Sequence, residues 1–191
     1  LPNADWIRKD YGSKSVTIQN ITQAYAESSK GNGFIEEFIF RPEDRERITL
    51  YGTIGDNMHT DLHECLGHGS GQLAPGVKGD ELKQYGSVLE EARADLFSLY
   101  YMADPKMEEL GLLPDAEVAK AQYASYISNG MMTQLARVEL GKDIEQTHMR
   151  NRKMISEWAY ELGRRENVIE KVVNDGKTYI VVNDFDKLRT L

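Results

Sequence analysis

The sequence is poor in the features that define several large classes of proteins. It has one cysteine among 191 residues, so no internal disulfide can form. No apolar run approaches the 18 or more residues of a membrane-spanning helix. Basic residues are outnumbered, 23 against 31 acidic ones, and the net charge of −8 argues against nucleic acid or anionic membranes as partners. What remains is an acidic chain, long enough to bury one hydrophobic core.

Hydrophobic periodicity predicts a mainly α-helical single domain over residues 1–191, with helices near 20–29, 56–68, 87–102, 114–140 and 144–162. The helix at 114–140 is expected to be amphipathic. The helix at 87–102 is predicted from an apolar stripe of Leu89, Ala92, Leu96 and Leu99. Glycines and a proline between residues 73 and 86 predict a loop.

The C-terminal part of the chain follows a different pattern. Residues 168–173 and 178–182 are rich in β-branched residues, and they flank the turn sequence Asn-Asp-Gly-Lys at 174–177. This arrangement predicts a small β-hairpin. A last helix is predicted to start at Asp184.

The most informative segment is HECLGH, in which His63 and His68 bracket Glu64. Two imidazoles and a carboxylate can fill three positions around a catalytic zinc and leave the fourth open for water, and a separate glutamate can take the proton of that water. The histidines are five residues apart, which is about 140° on an ideal α-helix at about 100° per residue. Both rings can reach one metal if the helix contains a π-bulge, and Gly67 is the natural position for it.

The second informative segment is EEARAD, which begins 22 residues after HECLGH. On a helix, Glu91 and Asp95 share a face. Glu91 is therefore predicted to be the third metal ligand, and Asp95 to accept the free N–H of a ligand histidine. Glu90 is the rival ligand, about 100° round the helix.

Three other features have simpler interpretations. His59 lies one turn before His63 and is an alternative metal ligand, although His68 and Glu64 explain the site better. Cys65 is expected to be a small buried residue rather than a nucleophile. The tyrosines at 123 and 126 are expected in the core.

HECLGH followed by EEARAD closely resembles the HEXXGH and EEXR(A)(D/E) signatures of the dipeptidyl peptidase III family, zinc exopeptidases that release dipeptides from peptide N-termini. The similarity extends to Leu-Pro-Asn at 1–3, His-Gly-Ser-Gly at 68–71 and QTHMRNR at 146–152. It is weakest between residues 31 and 55.

This resemblance implies one catalytic Zn²⁺ held by His63, His68 and Glu91, with Glu64 as the general base. Further carboxylates behind the ligands would be Asp95 and Glu90. The remaining residues that it implicates are His148, which would steady the reacting carbonyl, and two substrate-binding residues, Arg152 and Asn3. The substrates would be oligopeptides.

The resemblance also implies a larger protein. We expect residues 1–191 to be a fragment of the helical zinc-binding lobe of a two-lobed peptidase, with the other lobe as its partner. Further cleft residues, including a second asparagine and a tyrosine, would precede residue 1, so the isolated fragment should be weakly active or inactive. A cytoplasmic location is expected. The alternative is a non-catalytic helical domain that binds peptides or partners and keeps a structural metal; the intact Glu64 argues against it, because a structural site needs no base.

Overall fold

The computed structural model describes residue 10 and residues 18–191, and these are mainly helical with one small β-hairpin, which confirms the predicted fold class. The helices are α1 (Gln19–Ser29), α2 (Phe34–Phe38), α3 (Pro42–Leu62), α4 (Gly86–Met102), α5 (Lys106–Glu109), α6 (Glu117–Met131), α7 (Thr147–Gly163) and α8 (Phe185–Thr190). A π-helix, His63–His68, continues α3. Short 3₁₀ turns cover Lys83–Tyr85, Thr133–Arg137 and Arg164–Glu166, and the strands are β1 (Ile169–Asn174) and β2 (Lys177–Val182).

The predicted motif helix is only the end of a longer one. Pro42 occupies the first turn of α3, where its missing N–H costs nothing, and acidic residues follow it, as favoured by the helix dipole. The helix then runs unbroken through Leu62 into the π-helix. The ligand segment is therefore held at the end of a long rigid element rather than on a short helix of its own.

Helix α6 is the centre of the fold, and the prediction for it was wrong in two respects. It ends at Met131 and not near residue 140, because Met132 leaves helical geometry and a 3₁₀ turn follows. It is also not amphipathic, since each of its residues is buried or half-buried. A helix that is enclosed on all sides needs small residues where neighbours approach. At Gly130 a Cβ atom would collide with Ser156 Oγ and the Arg152 carbonyl of α7.

Helix α4 packs differently from the prediction. Leu89 and Leu96 of the predicted stripe are exposed, whereas the buried face carries mainly small or polar residues. These are Val88, Ala92, Ala94, Asp95, Ser98 and Met102. Small side chains let α4 come close to the π-helix: a Cβ on Gly67 would lie 2.7 Å from both Cα and Cβ of Ala94. Glycine is therefore required at position 67 because the π-helix comes so close to α4, and not because the π-helical backbone itself excludes a Cβ atom.

The C-terminal hairpin agrees with the prediction. Strands β1 and β2 are antiparallel, with Ile169 opposite Val182, and the turn has positive φ at Asp175 and Gly176, as a type I′ turn requires. Buried residues of the hairpin pack against Ile127 and Met131 of α6. Helix α8 begins at the expected place. No helix in the described part of the chain is long and apolar enough to cross a membrane.

Candidate metal centre

The π-helix brings His63 and His68 together. In a π-helix the hydrogen bonds join residues five apart, so side chains at i and i+5 lie over one another on successive turns. The two Nε2 atoms are 3.1 Å apart. The extra residue in the histidine spacing is thus absorbed by a π-helical turn, the type of distortion that the sequence predicted.

Glu91 reaches the same point from α4. Its Oε2 atom lies 3.1 Å from Nε2 of His63 and 3.6 Å from Nε2 of His68. This oxygen is buried and has no hydrogen-bond partner among the described residues. The three donor atoms form a triangle with sides of 3.1, 3.1 and 3.6 Å. Ligands of a tetrahedral zinc at about 2.0–2.2 Å would be separated by about 3.3–3.6 Å, so the triangle fits.

The protonation of the histidines provides a second test of the fit. Nδ1 of His63 lies 2.7 Å from Asp95 Oδ1, and Nδ1 of His68 lies 3.0 Å from Glu90 Oε1. A carboxylate can only accept, so both Nδ1 atoms donate, and in the neutral imidazoles both Nε2 atoms carry lone pairs. Two lone pairs and a carboxylate oxygen that face one another repel unless a cation lies between them. The residues therefore fit a metal ion.

The charge around His63 leads to the same conclusion. Burial acts to lower the pKa of His63, but the carboxylates of Asp95 and Glu91 outweigh it and raise that pKa to about 9. The His63 imidazole acts to lower the pKa of Glu91 and burial opposes it, with a net lowering. The site thus attracts positive charge, whether a proton or a metal cation.

Glu64 lies beside this triangle and is half-buried. One of its carboxylate oxygens is within 4.8 Å of ligand nitrogens of His63 and His68. Glu91 is nevertheless the better third ligand, because its oxygen is within 3.6 Å of both rings. Glu64 is left close to the site and able to act on a molecule bound there.

Asp95 is the buried carboxylate that holds the ring of His63 from behind, and we call such a carboxylate and its hydrogen-bond donors the support of that histidine. Its Oδ1 accepts from Nδ1 of His63 at 2.7 Å and from Nε2 of His59 at 3.0 Å, and its Oδ2 accepts from the Tyr126 hydroxyl at 2.7 Å and from Asn151 Nδ2 at 3.0 Å. Burial acts to raise the pKa of Asp95, but these donors outweigh it and hold that pKa far below its ordinary value. Asp95 is therefore an ionised carboxylate with all four donors in place.

His59 belongs to this support and not to the donor triangle. One ring nitrogen of His59, one ring nitrogen of His63 and one carboxylate oxygen of Asp95 lie within 4.8 Å of one another, a distance at which three such atoms could bind a metal. Both rings, however, are at hydrogen-bond distance from the same Asp95 oxygen, which leaves no room for an ion between them. No signal in the sequence indicated the contacts of Tyr126 and Asn151 with Asp95, and for His59 the only signal was its position one helical turn before His63.

Glu90 forms the support behind His68, near the surface. Arg93 donates to both oxygens of Glu90 at 2.9 and 2.7 Å, and also to the Gly67 carbonyl and Ser70 Oγ. Burial acts to raise the pKa of Glu90, but Arg93 and His68 lower it overall. Arg93 thereby ties the end of the π-helix to α4.

Two other predicted site residues lie on α7. His148 is in its first turn, 66% exposed, with Nδ1 3.4 Å from Glu91 Oε2. Arg152 lies one turn later, and its guanidinium is 5.8 Å from the centre of the Tyr126 ring. Asn3 lies outside the described residues. Cys65 is exposed, which contradicts the expectation that it is buried, because the π-helix turns that side toward solvent.

Comparison with known proteins now adds to this geometry. Residues 1–82 match peptidase family M49. The chain is similar to dipeptidyl peptidase 3 from Nematostella vectensis, 36% identical over 73 residues, which is 38% of this chain and 9% of that protein. It is 35% identical over 74 residues to human dipeptidyl peptidase 3, with the same coverage of 38% and 9%. It is 24% identical over 159 residues to the mouse protein of that name, covering 67% of this chain and 21% of the relative.

These matches, together with a fold that holds two histidines and a glutamate at one point, make the chain similar to a family of peptidases. The chain is thus similar, over part of its length, to the dipeptidyl peptidase III family, peptidase family M49. It spans only 9% to 21% of the length of the relatives that it matches.

Proposed function

We propose that this chain is the zinc-binding part of a metallopeptidase that releases dipeptides from the N-termini of oligopeptides. The observation that carries the proposal is the donor triangle of His63, His68 and Glu91, with Glu64 beside it. A structural zinc would be enclosed by four protein ligands, whereas a catalytic zinc has three and an open position. The match of residues 1–82 to peptidase family M49 favours a peptidase over other zinc hydrolases.

Each residue has a role in this proposal. Zinc, when bound by His63, His68 and Glu91, would lower the pKa of water and polarise a peptide carbonyl. Glu64 would accept the proton of the attacking water at its carboxylate and later deliver it to the amine that leaves.

The remaining residues would orient the ligands and the substrate. Asp95 and Glu90 would keep the two histidines in the Nδ1–H tautomer. His148, exposed in the first turn of α7, would donate a hydrogen bond to the oxygen that becomes negative during attack. Arg152 and Asn3 would bind the peptide. The rest of the longer polypeptide would supply the other wall of the cleft.

The first experiment measures metal. Residues 1–191, purified and dialysed against zinc, should contain one zinc per chain by atomic emission, and His63→Ala should bind none. A chain without zinc would contradict the proposal. Zinc in the chain together with a natural full-length protein that hydrolyses no peptide would favour the non-catalytic alternative.

The second experiment measures the base. In the natural full-length protein, Glu64→Gln should retain zinc and lose at least about 10²-fold in kcat on a dipeptidyl-arylamide, the lower end of general-base contributions. Glu46→Gln, at an exposed glutamate on α3, is the matched control and should have normal turnover. Near-normal turnover of Glu64→Gln would remove Glu64 from the mechanism.

The third experiment compares the chain with the full-length protein. Residues 1–191 contain both ligand segments, so zinc affinity should largely persist, but catalysis needs the substrate held and water partly excluded. We expect a much lower kcat/KM for residues 1–191. Comparable values would mean that the rest of the polypeptide is dispensable.

A further inference from the structure

The carboxylate of Asp95 lies where several helices meet. Asp95 is on α4, His59 is on α3 and His63 at the start of the π-helix, Tyr126 is on α6 and Asn151 on α7. Asp95 is 3% exposed and Asn151 0%. Each carboxylate oxygen accepts two hydrogen bonds, so rotation of the carboxylate would break at least two of them.

We propose that His59, Tyr126 and Asn151 are positioning residues of the metal centre. They act through Asp95, whose carboxylate they hold in the one orientation that keeps Nδ1–H of His63 bound and Nε2 directed at the metal. This inference rests on the proposed function, because it assigns these residues a role in holding a zinc ligand.

The chemistry of the donors supports this role. A buried carboxylate that lost a donor would be left partly unsatisfied, at a high energetic cost, and would move toward any other donor. His59 can only donate through Nε2–H, and its Nδ1 is buried without a hydrogen-bond partner among the described residues. The Ser98 hydroxyl donates to the His59 carbonyl at 2.8 Å and so fixes the backbone of α3 against α4 at this position. His59 is therefore oriented toward Asp95 from both its ring and its backbone.

Asn151 and Tyr126 hold the other oxygen. Asn151 must present its NH₂ group, because the carboxylate of Asp95 can only accept. The Tyr126 ring lies 5.7 Å from that of His59, so the two donors pack against each other. Burial, followed by the charge of Asp95, raises the pKa of Tyr126 well above its ordinary value, and the hydroxyl stays protonated as a donor.

The chain contains a matched control for Tyr126. Tyr123 is on the same helix, is also buried, and donates its hydroxyl to the Leu99 carbonyl of α4 at 2.7 Å. Tyr123→Phe and Tyr126→Phe each remove one hydrogen bond that a buried tyrosine of α6 donates to α4. A purely structural role would make the two variants equivalent, and only Tyr126→Phe should affect the metal.

The experiment measures zinc affinity by competition with a chelator in residues 1–191. Tyr126→Phe should weaken zinc binding about tenfold, the lower end of the range for residues behind the ligands, and Tyr123→Phe should change it less than about twofold. His59→Leu removes a donor at similar volume and should also weaken binding about tenfold, whereas His59→Gln retains an N–H at similar reach and should restore most of it. Equal affinities for the two tyrosine variants, or for the two His59 variants, would overturn the proposal.

A second readout does not depend on zinc. In metal-free protein labelled with ¹⁵N-histidine, the His63 Nδ1–H group should give a downfield signal protected from exchange. Protection should persist in Tyr123→Phe and His59→Gln and be lost in Tyr126→Phe. If wild-type protein binds no zinc, the proposed function fails, but this signal still decides the positioning role. If His59→Leu does not fold, the tyrosine pair and His59→Gln decide it. Protection that is equal in both tyrosine variants would overturn it.

Discussion

His63 and His68 present the same ring nitrogen to the same point, but what lies behind them differs. Behind His63 is Asp95, which is buried and accepts from four donors on four other elements, namely α3, the π-helix, α6 and α7. Behind His68 is Glu90, whose side chain is 44% exposed and which is held by Arg93 from the same helix. One support is part of the core, and the other is part of the surface.

This difference separates two contributions that a ligand's support can make. A buried carboxylate that is fully hydrogen-bonded contributes to the fold, because loss of its charge leaves several donors unsatisfied. An exposed pair such as that of Glu90 and Arg93 adds little stability, since water replaces a lost partner. Both supports can set the tautomer of a histidine. We therefore expect substitution of Asp95 to lower both the stability and the zinc affinity. Substitution of Glu90 should lower mainly the zinc affinity.

The largest effect is expected from Asp95→Asn. The amide keeps the shape but removes the charge and turns an NH₂ group toward donors, so the free energy of unfolding should fall by about 3–5 kcal/mol. Zinc affinity should fall about 100-fold. Denaturant unfolding and chelator competition measure the two quantities. Asp61→Asn, at an exposed aspartate on α3, is the control and should stay within about 0.5 kcal/mol of wild type. A similarly small value for Asp95→Asn would abolish the distinction between the two supports.

The ionised Asp95 carboxylate should also contribute to the pH dependence of stability. The folded-state pKa of Asp95 is lowered from an ordinary value of 3.8, so its stabilisation is complete above about that pH and is lost as the pH falls further. The loss for one such group is at most about 1.4 kcal/mol per pH unit. Unfolding of the zinc-free chain between pH 5 and 2 should therefore be less steep in pH for Asp95→Asn than for wild type. If the unfolding free energy of the two proteins fell equally steeply with pH, protonation of Asp95 would not be coupled to unfolding.

Gly67→Ala tests the contact that brings the π-helix against α4, the helix that carries both Asp95 and Glu90. The new Cβ would lie 2.7 Å from Ala94 Cα and Cβ, so α4 or the π-helix must move, at about 1–3 kcal/mol. Gly52→Ala on α3 is the control: its Cβ would meet only Ile48 at 3.5 Å, and helix propensity predicts a gain of about 0.5–1 kcal/mol. Thermal unfolding of both variants measures the difference. A stable Gly67→Ala protein would show that the close approach is not required.

The smallest effect on stability is expected from Glu90→Gln. It weakens the pair with Arg93, and the loss of unfolding free energy should be below about 1 kcal/mol. Zinc affinity should still fall about tenfold, because the Nδ1–H of His68 loses a charged acceptor. Denaturant unfolding and chelator competition apply here too. A loss of stability as large as that of Asp95→Asn would show that the difference in exposure between Glu90 and Asp95 does not decide how much each contributes to stability.

The sequence predicted the fold class and most elements, and it failed where packing decides. The hairpin was predictable because Asn-Asp-Gly-Lys favours one turn, and the position of α4 followed from its helical pattern. The end of α6 and the buried face of α4 were mispredicted. Their apolar residues suggested one-sided burial, whereas α6 is enclosed on all sides and α4 buries its small residues.

The zinc-binding interpretation of the two motifs came from residue type and spacing, which limit the possible metals and helix distortions, and the peptidase interpretation came from their resemblance to the dipeptidyl peptidase III family. The bound zinc, the release of dipeptides, the roles of the site residues, the cytoplasmic location and the peptide partners stay predictions. The support behind His63 could not be predicted in full. His59 was visible one turn away, but Tyr126 and Asn151 are 31 and 56 residues from Asp95 along the chain, and nothing local connects them to it.

The sequence by itself therefore determined which residues could bind a metal and that a π-turn was needed, because both depend on local chemistry and spacing. Only the tertiary structure decided which carboxylate stands behind each histidine and whether it is buried or exposed. Such a choice depends on how α3, α4, α6 and α7 pack against one another, and the periodicity of any single helix does not contain that information.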